Sequence, residues 1–144
     1  MKFFADIDAV KCYIEQNKKY TEPCEIAFIP QDYTDPMNIE EADLIISQFA
    51  GFVGQATKKY LKPDGILLCN DSHGDATLAK KDSDFEFVGV VLQRQNQYYV
   101  DSENTSQYFV LPKGKQIDLS TVHTKMRGPN YHLYADNYLF RKIR

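Results

Sequence analysis

The stretch "YLKPDGILLCNDSHGD", residues 60–75, decides how the rest of the chain is read. Its "LKPDG" marks a helix end and a tight turn at Asp64-Gly65. "GILLCN" (65–70) then reads as a short buried strand, which breaks off into Asn70, Asp71, Ser72, His73, Gly74 and Asp75. In open α/β sheets, ligands bind in the crevice beyond the strand carboxyl ends, so a polar run placed there is a candidate site. Upstream, "ADLIISQFAGF" (42–52) is the strongest apolar run and reads as a strand. "VGQATKKYL" (53–61) reads as the helix that Pro63 and Gly65 stop.

Further toward the N-terminus the alternation continues. "KFFADID" (2–8) reads as a buried strand, "AVKCYIEQNKKY" (9–20) as a helix and "EIAFIPQDY" (25–33) as a strand closed by Pro30. Alternating strands and helices joined by crossovers predict a parallel sheet. Beyond residue 84 the pattern changes. Extended segments are expected at 85–100, 106–113 and 137–143, with a short helix and a Gly128-Pro129 turn within 120–136. These predict an antiparallel addition at one edge of the sheet. The 144 residues suit a single domain spanning 1–144.

Composition narrows the functional classes. Charged residues make up 26% and the net charge is −3, with no basic field to favour nucleic acid. Cys12, Cys24 and Cys69 form no CxxC pair, and His73, His123 and His132 share no ligand spacing, so neither a disulfide framework nor a metal site is expected. No apolar run approaches the roughly 20 residues that span a bilayer. A cytoplasmic protein in a reducing compartment is the expectation.

The order of these pieces resembles a class I AdoMet-dependent methyltransferase seen from its second strand onward. The "LKPDG" turn before a strand is similar to the family's "LKPGG"-like turn before strand five, and "YADNYLFRKI" is similar to its last strand. The resemblance implies a Rossmann-like, mostly parallel α/β sheet with helices on both faces and an antiparallel C-terminal edge, N-terminally incomplete. It implies S-adenosyl-L-methionine as cofactor. A carboxylate ending strand two would hold the ribose hydroxyls, which points to Asp6 and then Asp8, because an ionised carboxylate accepts two hydroxyl protons at once. Asp8 has a plainer reading as a helix N-cap. Asp32 and Tyr33 of "IPQDY" would meet the adenine, though a turn aspartate is the simpler account of Asp32.

Strand four of the family ends in residues facing the transferred methyl. "DLIISQFAGF" stands there and is similar to the "SExxG" segment of protein arginine methyltransferases, with Gln48 in place of the glutamate. Ser47 would lie toward the cofactor, and Gln48, Phe49, Phe52 and Asp71 toward the methyl acceptor. His73 would act as base, oriented by Asp75 or Asp71, with Gln48 beside it as a second catalytic candidate. As a lone histidine among turn formers, His73 also reads as an ordinary loop residue. The family's glycine-rich loop has no counterpart: the seven glycines, at 51, 54, 65, 74, 89, 114 and 128, make no GxG. In the family, strand one lies between strands two and four. Without it, a gap of about 9–10 Å opens, to be closed by direct pairing, another segment or a partner chain. Two functions follow: a methyltransferase inactive on its own, from a shortened or divergent gene, or a non-catalytic module pairing with a partner chain or a second copy.

Overall fold

The computed structural model describes residues 5–144. The chain divides into two compact units, Met1–Asp32 and Tyr33–Arg144, and each is taken by itself.

The first unit holds the helix α1, Ile7–Asn17. It begins two residues earlier than its apolar spacing predicts because Asp6 caps it: the Asp6 carboxylate accepts the Ala9 backbone N–H at 3.0 Å. Asp8, the expected cap, sits inside the first turn. At the far end Lys18 pairs with Glu15 at 2.6 Å, and Glu15 also accepts the Cys24 N–H. None of the α1 side chains is buried.

Two predicted strands are corrected here. Of the segment 2–8, residues 2–4 lie outside the described residues, and Asp6 to Asp8 cap and begin α1. The segment 25–33 forms no strand. Its Phe28 and Ile29 stand exposed, and Pro30 removes a ladder donor. An apolar run becomes a strand only when a neighbour takes its hydrogen bonds and covers one face.

The second unit holds one five-stranded sheet: β1 (Ala42–Ser47), β2 (Leu61–Cys69), β3 (Phe85–Arg94), β4 (Gln97–Asp101) and β5 (Asn137–Lys142), in the order β1-β2-β5-β3-β4. β1 and β2 are parallel. β5 pairs antiparallel with both β2 and β3, and β4 antiparallel with β3. The sheet is therefore mixed, with one parallel pairing among four, where a mostly parallel sheet was predicted. The antiparallel strands lie to one side of the parallel pair, but the last strand, β5, is central and not at the edge. Since β1, β2 and β3 run one way, their carboxyl ends share a rim with the start of β5.

Helix α2 (Val53–Thr57) and a 3-10 turn (Lys58–Tyr60) link β1 to β2. The predicted "LKPDG" turn survives inside β2 as a bulge. Ala42 faces Leu61 but Leu44 faces Ile66, and Asp64 takes a positive φ of 63°. Helix α3 (Asp75–Lys81) follows β2, and α4 (Leu119–Lys125) precedes β5. Strands β3 and β4 form a hairpin whose loop residues, Gln95 and Asn96, both have positive φ, as a two-residue type I′ turn requires. The segment 106–113, predicted as extended, is instead irregular: Phe109 has φ 61°, and its ring and that of Tyr108 are buried.

The register shows which face is the core. Ile45, Leu67, Phe140 and Phe87 lie opposite one another across four strands, as do Ser47, Cys69, Tyr138 and Val90. Ala76 and Ala79 of α3 and the rings of Tyr108, Phe109 and Tyr131 join this cluster. Small residues on α3 let the helix approach the sheet, and the aromatics fill the rest. Phe109 packs against Tyr138 with ring centroids 4.8 Å apart and against Phe87 at 5.1 Å. The other face, at the β1 side, leaves Leu44 49% and Ile46 61% exposed.

Candidate functional site

The polar residues after β1 and β2 meet at the shared rim. Ser47 and Cys69 are register partners at the ends of the two parallel strands, so Gln48 and Asn70 emerge side by side. Gln48 Nε2 donates to Asn137 Oδ1 at 2.6 Å, and Gln48 Oε1 accepts from Asn70 Nδ2 at 3.1 Å. Asn70 Oδ1 in turn accepts from the Ser72 backbone N–H at 3.2 Å and from Ser72 Oγ at 2.8 Å. Ser72 Oγ lies 3.0 Å from His73 Nδ1. One continuous chain of hydrogen bonds thus joins the start of β5 to His73.

Two aspartates flank this chain, and each is held by its own partners. Asp75 is 2% exposed. Its Oδ2 accepts from Ser47 Oγ at 2.5 Å and from the Gly54 N–H at 2.9 Å, tying the start of α3 to the end of β1 and to α2. Burial pushes its carboxyl up from the usual range, against the donors Ser47, Gly54 and Gln55 and the nearby His73. Asp71 accepts from the Thr77 N–H at 2.7 Å and from Thr77 Oγ1 at 2.8 Å, inside the first turn of α3. Thr77 Oγ1 also bonds the Tyr131 hydroxyl at 2.9 Å. Burial raises Asp71 to about 6; Thr77 opposes the rise and the charge of Asp75 adds to it.

The imidazole of His73 is bonded by Ser72 and by neither of the carboxylates expected to orient it. Gln48 spends both ends of its amide on Asn70 and Asn137. Phe49 is 74% exposed at a positive φ of 52°. Phe52 packs edge-on against His123, centroids 5.3 Å apart. A cavity of about 440 Å³ opens at this rim, lined by Phe49, Asn70, Asp71, Ser72, Arg127 and Tyr134 among others. A larger groove, about 510 Å³, follows α4 and shares the wall at 127–130 with it. The structure thus gathers Gln48, Asp71 and His73 at one rim and puts Phe49 on the wall of its cavity.

Asn70, Ser72, Asn137, Thr77 and Arg127 were not anticipated. Asn70 and Ser72 lay within the opening stretch, where a strand end followed by "NDS" was the available signal. Asn137 had none, since only the sheet order brings β5 beside β2.

The residues that the resemblance assigns to AdoMet fall in both units, Asp6, Asp8 and Asp32 in the first and Tyr33 and Ser47 in the second. Asp6 is committed to capping α1, and Asp8 stands exposed in its first turn. Asp32 closes the first unit. In the second unit the Tyr33 hydroxyl is packed so close to Gly51 that a Cβ there would lie 2.6 Å from it. Ser47 is buried and donates to Asp75, which leaves it no proton for a cofactor. The described residues hold no group of three or more His, Cys, Asp or Glu able to take a metal, and no helix among them is long and apolar enough to cross a membrane. Comparison with family models, with curated proteins and with solved structures finds no match for this chain.

Proposed function

We propose that residues 33–144 form the acceptor side of an AdoMet-dependent, methyltransferase-like sheet, and that the chain does not transfer a methyl group by itself. One observation carries this reading: the segments that resemble the family's strands four, five and last are β1, β2 and β5, adjacent in that order, with Gln48, Asn70 and His73 bonded along their common rim. Methyl transfer needs few chemical groups, because positioning in a dry pocket does most of the work. A rim of amides and one imidazole beside a cavity suits a methyl acceptor. The cofactor half has no such support. A reducing, cytoplasmic setting belongs to the same reading, in keeping with three free cysteines.

Isothermal titration with AdoMet and with its demethylated product is the test. The expected result is no heat with either; saturable binding of AdoMet would overturn the claim that the chain is inactive alone.

A second reading is favoured by β1. Among the described residues no strand pairs on its outer side, and Leu44 and Ile46 are exposed on one face. An open edge beside exposed aliphatic side chains is a template for strand addition. On this reading the protein is a non-catalytic module that docks a partner chain or a second copy along β1. Light scattering across a concentration series distinguishes the two: association weakened by Ile46→Lys supports docking, and a monomer at all concentrations removes self-pairing.

A further inference from the structure

We propose that the chain Asn137–Gln48–Asn70–Ser72 holds neutral His73 in the Nδ1–H tautomer, leaving Nε2 as a proton acceptor for a ligand that presents an O–H or N–H group. The argument starts from a group that cannot change its role. The Ser72 backbone N–H can only donate, and it points at the Asn70 side chain at 3.2 Å. The Asn70 atom there must be oxygen, so its NH₂ is the end facing Gln48. Gln48 then presents its oxygen to Asn70 and its own NH₂ to Asn137. Every amide in the chain is oriented by that one backbone group.

The same logic runs outward to the ring. Asn70 Oδ1 has no proton, so the 2.8 Å contact from Ser72 Oγ uses the single hydroxyl proton of Ser72. The hydroxyl has only lone pairs left for His73. The 3.0 Å contact between Ser72 Oγ and His73 Nδ1 therefore needs the proton on Nδ1. A neutral imidazole carries one proton, so Nε2 keeps its lone pair. Among the described residues only Nδ1 of this ring is bonded.

A neutral ring so held selects a donor. A hydroxyl or amine can place its hydrogen on Nε2, whereas a carboxylate would meet lone pair with lone pair. When a bound nucleophile gives up its proton, the proton goes to Nε2, the electron pair stays on the oxygen or nitrogen, and the ring becomes imidazolium. Ser72, Asn70 and Gln48 are positioning residues in this scheme. The catalytic use of Nε2 rests on the methyltransferase-like reading; the tautomer does not.

Long-range ¹H–¹⁵N correlation spectra of protein with ¹⁵N-labelled histidine test this at alkaline pH, where imidazoles are neutral. His73→Gln identifies the His73 signals among those of His123 and His132. The expected pattern is Nδ1 at the protonated position and Nε2 at the unprotonated one. In Ser72→Ala both should move toward the pattern of free imidazole, which favours Nε2–H, and Ser72→Thr should restore the native pattern. An Nε2–H pattern in the native protein, or an unchanged Nδ1–H pattern in Ser72→Ala, overturns the proposal. Because no cofactor enters this measurement, its failure is separable from a failure of the AdoMet titration.

Discussion

Asp71 shows how a single side chain can set a pH response. Its carboxyl is raised from 3.8 to about 6 by burial, so the folded state holds a proton that the unfolded chain has already released. Stability must therefore fall as pH rises between about 4 and about 6, and stay lower above that. The shift corresponds to roughly 2–3 kcal/mol. Asp75, shifted in the same direction by burial, adds to the fall. Asp71→Asn keeps an oxygen for the Thr77 N–H and removes the titration, so urea melts at pH 4 and pH 7 should differ less in the variant by about that amount. An unchanged difference would mean that Asp71 is not responsible. At this scale the sequence was only partly readable. The polar run after residue 69 announced a site, but Asp71 was drawn to the first turn of α3 and Asp75 to the first turn of α2, because a short helix beside a buried strand needs acceptors for its first N–H groups.

At the scale of elements, part of the sheet was legible. β1 and β2 carry their own signals in apolar runs, and 137–143 was read as extended, but the single extended segment expected at 85–100 is two strands, β3 and β4, turned at Gln95-Asn96. The predicted strands in 2–8 and 25–33 carried comparable apolar runs. The run at 25–33 forms no strand, because a run does not specify its neighbour, and in the described part of 2–8 the cap at Asp6 drew residues 7 and 8 into a helix. Two element junctions yield predictions. Gly74 begins α3 at φ +95°, and a Cβ there would lie 2.4 Å from Val122 Cγ1. Gly74→Ala should lower stability by about 1–3 kcal/mol, read from denaturant melts. Asn96, in the positive-φ hairpin turn, should accept glycine with a gain of about 0.5 kcal/mol by the same melts. A loss in that variant would show that the turn is held by its side chains and not by backbone preference.

At the scale of the molecule, the buried core of the described residues lies within the second unit, from Leu61 to Phe140. Residues 33–144 should therefore fold alone, with a cooperative thermal transition and dispersed amide spectra. A molten, non-cooperative fragment would place essential support in the first unit. The sheet order could not be read from the chain. Nothing in "NYLFRKI" says that it will settle between β2 and β3, since that choice depends on Phe140 and Tyr138 completing an aromatic cluster drawn from three other segments.

That central position has a consequence for biosynthesis. β5 joins the parallel pair to the hairpin, yet a ribosome makes it after all four strands it unites. Until then β2 and β3 each wait with a bare side, and nascent chains crowded on one message would have matching gaps to offer one another. A holdase that shields such edges during translation should matter more to the yield of this protein than to its stability once made.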